Sequence, residues 1–285
     1  MDSRRMCPHC RAFITSKDRV CPYCNETVGP RAVDRRDPGG GSFLGGLIPS
    51  ARFFTVIILV INFGLYAATT IYAMRGGNGE LVTNIDLRTL VYFGAKVPPG
   101  LLARLGVGNQ WWRLVTAGFL HGGILHILMN SWSFMSLGPL VEEVFGGSRM
   151  VVIYFCSTVT GFYCSYVMSG SVSMGASAAI FGLIGAMIAI SMKEPVRFGH
   201  LRRVFVGWAM FGLVYILGNM FGMRVDNYAH FGGLVGGFAV AYLAGTPKLV
   251  QTATERLWQV AGAACLVITV ASFLNMYLWF VRFSQ

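Results

Sequence analysis

Two side chains that together can perform nucleophilic chemistry lie far apart in the sequence, each within an apolar, glycine-rich stretch. Ser177 lies within residues 174–182, and His230 lies within residues 228–237. A serine hydroxyl becomes a competent nucleophile when an imidazole accepts its proton. Both stretches are predicted to span a membrane, where an ionisable residue is costly enough to indicate a functional site. The pair therefore predicts a nucleophile and its general base inside a bilayer.

A third polar site occurs in another apolar segment. His126 and Asn130 are four residues apart and therefore share one face of a helix. An imidazole and an amide on one face can stabilise a developing oxyanion, together with the free N–H groups of a helix that begins near Ser177. His121 lies five residues before His126, which places it off that face, and we assign it a supporting role. No acid follows His230 at an obvious spacing, so a dyad is a simpler prediction than a triad.

Each of these residues also has a structural interpretation. Ser177 could be a small-residue packing contact, His230 a hydrogen-bonded core histidine, and Asn130 a bond between helices. The conjunction of three polar sites at one predicted depth favours a functional site, because packing alone does not explain it.

Composition indicates a multi-spanning membrane protein. Of the 285 residues, 54% are hydrophobic and 12% are charged, whereas soluble domains carry about 25% charged residues. The net charge of +11 does not indicate nucleic acid binding, because the basic residues cluster at the N-terminus and between apolar runs. Seven apolar segments are predicted to span the bilayer, at residues 53–74, 114–138, 149–168, 176–192, 202–221, 227–245 and 258–281.

The distribution of lysine and arginine predicts the orientation. With the N-terminus in the cytoplasm, the inner side receives sixteen of these residues and the outer side seven. This bias follows the positive-inside rule and places the C-terminus on the opposite side. Ser177 and His230 then lie near the outer starts of their segments. His126 and Asn130 lie in a segment that also begins outside, so all four residues can meet at one depth.

Two further patterns concern how the segments are arranged. Gly233 and Gly237 form a GxxxG pair after His230, and so do Gly232 and Gly236, which permits close approach of another helix. We expect the matching surface at Gly182 and Gly185. The loop at residues 75–113 is predicted to contain short amphipathic helices in the membrane interface, where Trp111 and Trp112 are typical residues.

The N-terminus contains a candidate metal site. Cys7, Cys10, Cys21 and Cys24 form two CxxC motifs separated by ten residues, a pattern typical of a tetrahedral Zn–S₄ site. Iron is an alternative metal, since sulfur tetrahedra accept either ion. A pair of disulfides is the structural alternative, but the cytoplasm is reducing. We expect a zinc-ribbon-like module at residues 1–28 that folds around the metal and binds an unknown partner, followed by a flexible linker at residues 29–50.

These residues resemble the rhomboid family of intramembrane serine proteases over residues 51–245. The resemblance rests on motifs that occur in one order along the chain: Trp112-Arg113, His126 to Asn130, Glu142, Gly175-Ala176-Ser177-Ala178 and Ala229 to Gly237. It implies that Ser177 and His230 are the catalytic dyad and that His126, Asn130 and the Ser177 N–H form the oxyanion hole. It also implies that His121 binds water near the site.

The resemblance predicts an all-α, polytopic membrane bundle. A six-helix rhomboid core at residues 51–245 is followed by a seventh helix within residues 246–285 and preceded by the four-cysteine module. Phe181 occupies a position where many rhomboids carry a tyrosine stacked on the histidine, so stacking is expected to survive without the hydroxyl. The implied substrates are single-span membrane proteins that unwind near the site, and no cofactor is expected for catalysis. Residues 222–226 are a candidate lid.

Two other functions remain open from the sequence. One is a catalytically inactive relative that binds membrane helices, which retention of Ser177, His230, His126 and Asn130 disfavours. The other is a transporter or channel that uses the histidines as proton relays. Replacing Ser177 by alanine separates these hypotheses, because only a protease needs that hydroxyl for peptide-bond cleavage.

Overall fold

Helices dominate the described part of the chain. The computed structural model describes residues 4–7, 10, 12–15, 18–28, 52–75, 84–104, 110–217, 225–248 and 251–283. The chain divides into two compact units, residues 1–50 and 51–285. The predicted linker at residues 29–50 lies outside the described residues, as do residues 222–224 of the predicted lid.

The N-terminal unit contains a small antiparallel hairpin. Strand β1 (Arg4–Met6) pairs with β2 (Phe13–Thr15), and Arg5 lies opposite Ile14. A small core forms from one residue of each CxxC motif and two aliphatic residues, namely Cys7, Ile14, Cys21 and Val28. So small a core supplies little folding free energy, which is consistent with a module that needs a metal.

The named secondary-structure elements of the second unit are all helices in its described residues. Its α-helices are α1 (Phe53–Arg75), α2 (Leu87–Tyr92), α3 (Pro99–Arg104), α4 (Arg113–Thr116), α5 (Ile124–Met168), α6 (Ser177–Lys193), α7 (Pro195–Phe198), α8 (Arg202–Leu217), α9 (Asn227–Ala244) and α10 (Ala253–Phe283). Two 3₁₀ turns, Ala117–Phe119 and Gly199–Leu201, precede α5 and α8. Helices α5, α6 and α9 pack together at the centre, and α1, α8 and α10 surround them.

Helix α5 consists of two halves that fold back on each other. Gly146 has φ 74° and ψ 160°, a conformation that ends one helix and starts another. Phe134 and Tyr154 are twenty residues apart, yet their ring centroids are separated by only 5.5 Å. In a straight helix they would be about 30 Å apart. The two halves therefore correspond to the second and third predicted apolar segments.

The second segment starts later than predicted. We expected a helix from residue 114, but α5 starts at Ile124, and the preceding residues form the short helix α4 and a 3₁₀ turn. Gly122 and Gly123 separate these elements, because glycine favours helix ends over helix interiors. His126 consequently lies in the first turn of its helix rather than in the middle.

Several helices are long and apolar enough to cross a membrane. Among the described residues, α1, α5 and α10 meet this criterion individually, and α6 with the segment Pro195–Met210 forms a fourth candidate bent by 118°. These helices indicate an integral membrane protein. The predicted loop helices are present as α2 and α3, whose positions in the interface stay a prediction.

One predicted pair of α9, Gly233 and Gly237, forms the contact with α6, whereas the other pair, Gly232 and Gly236, packs against Thr160 of α5. A methyl group on Gly233 would lie 2.0 Å from the Ala178 carbonyl oxygen, and one on Gly237 would lie 2.1 Å from that of Gly182. A methyl group on Gly185 would lie 2.2 Å from the Leu234 carbonyl oxygen. These backbones approach so closely that only glycine fits at these positions. The contact fixes the helix of Ser177 against the helix of His230.

Two buried carboxylates tie peripheral helices to α5. Glu142 accepts hydrogen bonds from Phe54 N and Thr55 N at 3.0 Å and from the Thr55 hydroxyl at 2.8 Å, which caps the N-terminus of α1. Arg149 forms a bidentate ion pair with Glu255, with both N–O distances 2.7 Å, which ties α10 to the core. In both carboxylates, each oxygen accepts at least one hydrogen bond.

Arg113 organises the loop between α1 and α5. Its buried guanidinium donates to the Val91 and Ala95 carbonyl oxygens at 2.7 and 2.9 Å and to the side chain of Gln110. The cation also lies 4.5 Å from the ring centroid of Trp112. These contacts hold the loop against α4.

Candidate active site

Ser177 is the first residue of α6 and follows a sharp turn. Gly175 has φ 128°, which an L-residue with a side chain rarely adopts, and its N–H donates to the Ala117 carbonyl at 2.9 Å. The turn directs the chain into α6 at Ala176, whose carbonyl accepts from Ile180 N. The first N–H groups of α6 have no partner within the helix. Ser177 itself is half-buried, so its hydroxyl keeps access to the surroundings.

His230 lies in the first turns of α9 and contacts Ser177 directly. Its Nε2 is 2.7 Å from Ser177 Oγ, although the two residues are 53 positions apart. Phe181, one turn after Ser177, stacks on the imidazole with ring centroids 4.4 Å apart and planes 12° apart. The predicted stacking without a hydroxyl is therefore present. The far edge of the Phe181 ring packs against Gly212 of α8, where a methyl group would lie 2.5 Å from its Cζ.

His126 and Asn130 meet the same turn from α5. A methyl group on Gly175 would lie 2.7 Å from His126 Nε2 and 3.5 Å from Asn130 Nδ2. The side-chain amide nitrogen of Asn130 is buried and has no hydrogen-bond partner among the described residues. Gly122 N–H approaches His126 Nδ1 at 3.5 Å, which favours the tautomer with the proton on Nε2. Two donors thus face the space beside Gly175.

His121 lies beside this group. It is 1% exposed, and its ring packs edge-to-face on that of His126 with centroids 5.1 Å apart. His121 precedes α5, so the expectation from its helical spacing does not apply. Its place beside His126 is compatible with the predicted supporting role.

The arrangement contains each component of acyl-transfer chemistry. A hydroxyl lies within hydrogen-bond distance of an imidazole nitrogen, which is the geometry of a nucleophile and its base. Donors from α5 and the free N–H groups of α6 flank the same position. The aromatic ring of Phe181 restricts rotation of the imidazole.

The four N-terminal cysteines form a separate candidate metal centre. All four sulfur atoms lie within 4.8 Å of one another, with Cys7 to Cys24 at 3.7 Å and Cys10 to Cys21 at 3.6 Å. Zn–S bonds of about 2.3 Å in a tetrahedron place sulfur atoms about 3.8 Å apart. A disulfide requires about 2.05 Å. The cluster therefore fits a tetrahedral metal and does not fit a pair of disulfides.

The sequence interpretation missed three polar residues near the dyad. Asp226 is the N-cap of α9, where its side chain accepts from Ala229 N at 3.1 Å. Lys96 is 1% exposed, and Ser165 connects it to Asp226 through hydrogen bonds. The sequence did contain a signal for Asp226, because aspartate is a preferred N-cap residue and a helix is predicted directly after it. A lysine in a loop gives no such signal, because lysine is usually solvated.

Comparison with known proteins identifies a family. The family model described as Rhomboid domain matches residues 108–247, which include Ser177, His230, His126, Asn130 and His121. Rhomboid protease GluP of Bacillus subtilis (strain 168) is 40% identical over 165 residues, which cover 57% of this chain and 31% of that protein. Rhomboid-like protease 1 of Toxoplasma gondii is 30% identical over 245 residues, 79% of this chain and 78% of the relative. RHOMBOID-like protein 5 of Arabidopsis thaliana is 32% identical over 213 residues, 69% of each chain.

Proposed function

Because this chain belongs to the rhomboid family, we propose that it is an intramembrane serine protease. It hydrolyses peptide bonds in or near the transmembrane segments of membrane proteins through the Ser177–His230 dyad. The observation that carries the proposal is the 2.7 Å distance between Ser177 Oγ and His230 Nε2. The names of two relatives, Rhomboid protease GluP and Rhomboid-like protease 1, agree with this activity.

In the first step, His230 Nε2 accepts the Ser177 proton while Oγ attacks the carbonyl carbon of the scissile bond. The resulting imidazolium donates that proton to the leaving amine as the C–N bond breaks. An acyl-enzyme ester remains on Ser177. A water molecule, activated by the same imidazole, then hydrolyses the ester and restores the hydroxyl.

The oxyanion of each tetrahedral intermediate is stabilised by His126 Nε2–H, the Asn130 amide and the Ser177 N–H. The support for this role is that both side chains border Gly175, two residues before the nucleophile. The buried Asn130 amide nitrogen, which has no partner among the described residues, is a donor available to a ligand. Such pre-positioned donors act most strongly in a site with little water.

The substrates we propose are single-span membrane proteins. A peptide carbonyl in an intact helix is already hydrogen-bonded and shielded, so the segment must unwind before attack. Water must also reach Ser177, which the half-buried position of this residue supports. We place the active-site side of the chain outside, with the N-terminus in the cytoplasm, on the strength of the lysine and arginine distribution.

The test is cleavage of a single-span reporter by the purified chain in liposomes. Ser177→Ala and His230→Ala are each expected to lower the cleavage rate by at least about 10³-fold. Ser191→Ala, also a buried serine of α6, and His200→Ala, an exposed histidine, are the matched controls and should retain the parental rate. Loss of the parental activity in both controls, or cleavage by Ser177→Ala, contradicts the proposal. A parental chain that binds but never cleaves the reporter identifies an inactive relative.

For the N-terminal module we propose zinc as the bound ion, held by Cys7, Cys10, Cys21 and Cys24. The sulfur–sulfur distances support a tetrahedral site, and the thiolates would supply structural ligation rather than catalysis. The module would then have a binding or regulatory role rather than a catalytic one.

A further inference from the structure

A hydrogen-bonded network of two buried residues, Lys96 and Ser165, and the half-buried Asp226 connects the loop that leads to Ser177 with the helix that carries His230. The side chain of Ser165, near the end of α5, donates to the Asp226 carboxylate, and the Ser165 carbonyl accepts from Lys96 Nζ at 3.3 Å. Ser165 therefore contacts both an anion and a cation. None of these three residues belongs to the dyad or to the donors around Gly175.

The cationic end of the network holds the loop before Ser177. Lys96 Nζ donates to the Ser171 carbonyl at 2.7 Å, and the Lys96 backbone forms a bridge with Ser173 through two hydrogen bonds of 2.9 and 3.0 Å. Burial lowers the pKa of Lys96 to about 8, and the Asp226 carboxylate opposes that shift. Lys96 therefore remains charged at neutral and acidic pH.

The anionic end holds the helix of His230. The Asp226 carboxylate caps α9 through Ala229 N, and its backbone carbonyl accepts from His230 N at 3.2 Å. Position 230 lies in the first turns of α9, where the helix dipole is positive and disfavours an imidazolium. The Asp226 carboxylate lies at that same end and offsets this field.

We propose that Asp226 is a positioning residue that fixes the first turn of α9 and stabilises the charge that His230 acquires when it accepts the Ser177 proton. Lys96 orients Asp226 through Ser165 and holds the loop of the nucleophile. This inference rests on the proposed protease function, because it assigns a task to the base of that dyad. The Nδ1 atom of His230 has no hydrogen-bond partner among the described residues, so charge stabilisation must come from the surrounding field.

The charged and titratable groups around His230 are few among the described residues. Asp226 precedes it on α9, His126 faces it from α5, and Ser177 contacts it from α6. Lys96, from the loop between α2 and α3, lies beyond Asp226. Asp226 is the one anion of this set, so its removal must change the pH at which the base loses its function.

The experiment measures the rate at which a fluorophosphonate labels Ser177, as a function of pH, in the full chain in detergent. Asp226→Asn keeps the cap acceptor and the shape but removes the charge. We expect the acidic limb of the profile to move to lower pH by about one unit, because the imidazole stays neutral further into acid. Asp226→Glu, which restores the charge, should keep the limb at the parental pH even if its rate falls.

Asp86→Asn is the matched control, because Asp86 caps α2 through Thr89 N in the same way but lies on another helix. It should leave the profile unchanged. A rate that falls equally at all pH values in Asp226→Asn, with the limb unmoved, would show a purely structural cap and overturn the proposal. If Asp226→Asn does not fold, Asp226→Ser carries the test, because serine also caps a helix but carries no charge. Its limb should move to lower pH, and an unmoved limb or the opposite shift refutes the proposal.

Different results would contradict the proposed protease function and the role of Asp226. If the parental chain is neither labelled nor active, the result contradicts the proposed protease function. A parental chain that is labelled, with labelling abolished in Ser177→Ala, supports that function whatever Asp226→Asn does.

Discussion

The imidazole of His230 lies parallel to the ring of Phe181, with centroids 4.4 Å apart. The far edge of the Phe181 ring packs against Gly212 of α8. Through this stack, the packing of α8 helps to set the position of the proposed base. The stack restrains the imidazole, which is a task that an aspartate performs in a catalytic triad.

Replacing Phe181 by leucine should lower kcat/KM for reporter cleavage about fivefold, since an aromatic contact of this kind contributes about 0.5–1.5 kcal/mol. Leucine keeps an apolar side chain but has no flat face to restrain the imidazole. Phe198→Leu makes the same change at a buried phenylalanine in α7 and should leave kcat/KM unchanged. Equal kcat/KM values for the two variants would show that the stack has no role in activity.

The backbone contact between α6 and α9 predicts a large effect of one methyl group. Gly233→Ala would place Cβ 2.0 Å from the Ala178 carbonyl oxygen, so α9 must move away from α6. We expect reporter cleavage to fall at least about 100-fold, because a shift of about 1 Å in the dyad has that effect.

Gly207→Ala is the control for that substitution. Gly207 lies in α8, and a methyl group there meets no atom within 4 Å. It should keep full activity and an equal or higher thermal midpoint, because alanine favours a helix more than glycine does. Parental activity in Gly233→Ala would contradict the close contact.

Glu142 should be the main electrostatic restraint on the start of α1. Glu142→Ala leaves Phe54 N and Thr55 N without their acceptor, and we expect a loss of about 1–3 kcal/mol in stability. The thermal unfolding midpoint in detergent measures it. Glu143→Ala removes the neighbouring exposed carboxylate and should change the midpoint little. Equal midpoints for the two variants would be inconsistent with the cap.

The pairing of Ser177 with His230 could be predicted from the sequence, because packing alone does not explain three polar sites at one depth in apolar segments, and the family resemblance named the same two residues. The sequence also predicted the glycine surfaces of α6 and α9, since GxxxG spacing places both glycines on one face. It did not predict the late start of α5, because apolar residues continue without interruption from α4 into the 3₁₀ turn. Asp226 was missed because it precedes His230, and Lys96 because burial of a loop lysine depends on tertiary contacts.

The N-terminal module should bind metal without taking part in proteolysis. Cys7→Ser combined with Cys10→Ser removes two of four ligands, and we expect metal content measured by mass spectrometry to fall to background. Reporter cleavage in detergent should remain at the parental rate. Cys156→Ser, which changes a cysteine of α5, should retain the metal. An inactive double variant whose thermal midpoint matches the parent would instead place the module in the reaction.

Mass spectrometry of the fluorophosphonate adduct tests the central claim most directly, since it reports which oxygen His230 activates. The account predicts a single phosphonyl group on Ser177 in the parental chain and none in His230→Ala, although His230→Ala remains folded. Labelling of Ser177 at the parental rate in folded His230→Ala, or parental reporter cleavage by Ser177→Ala, would contradict it.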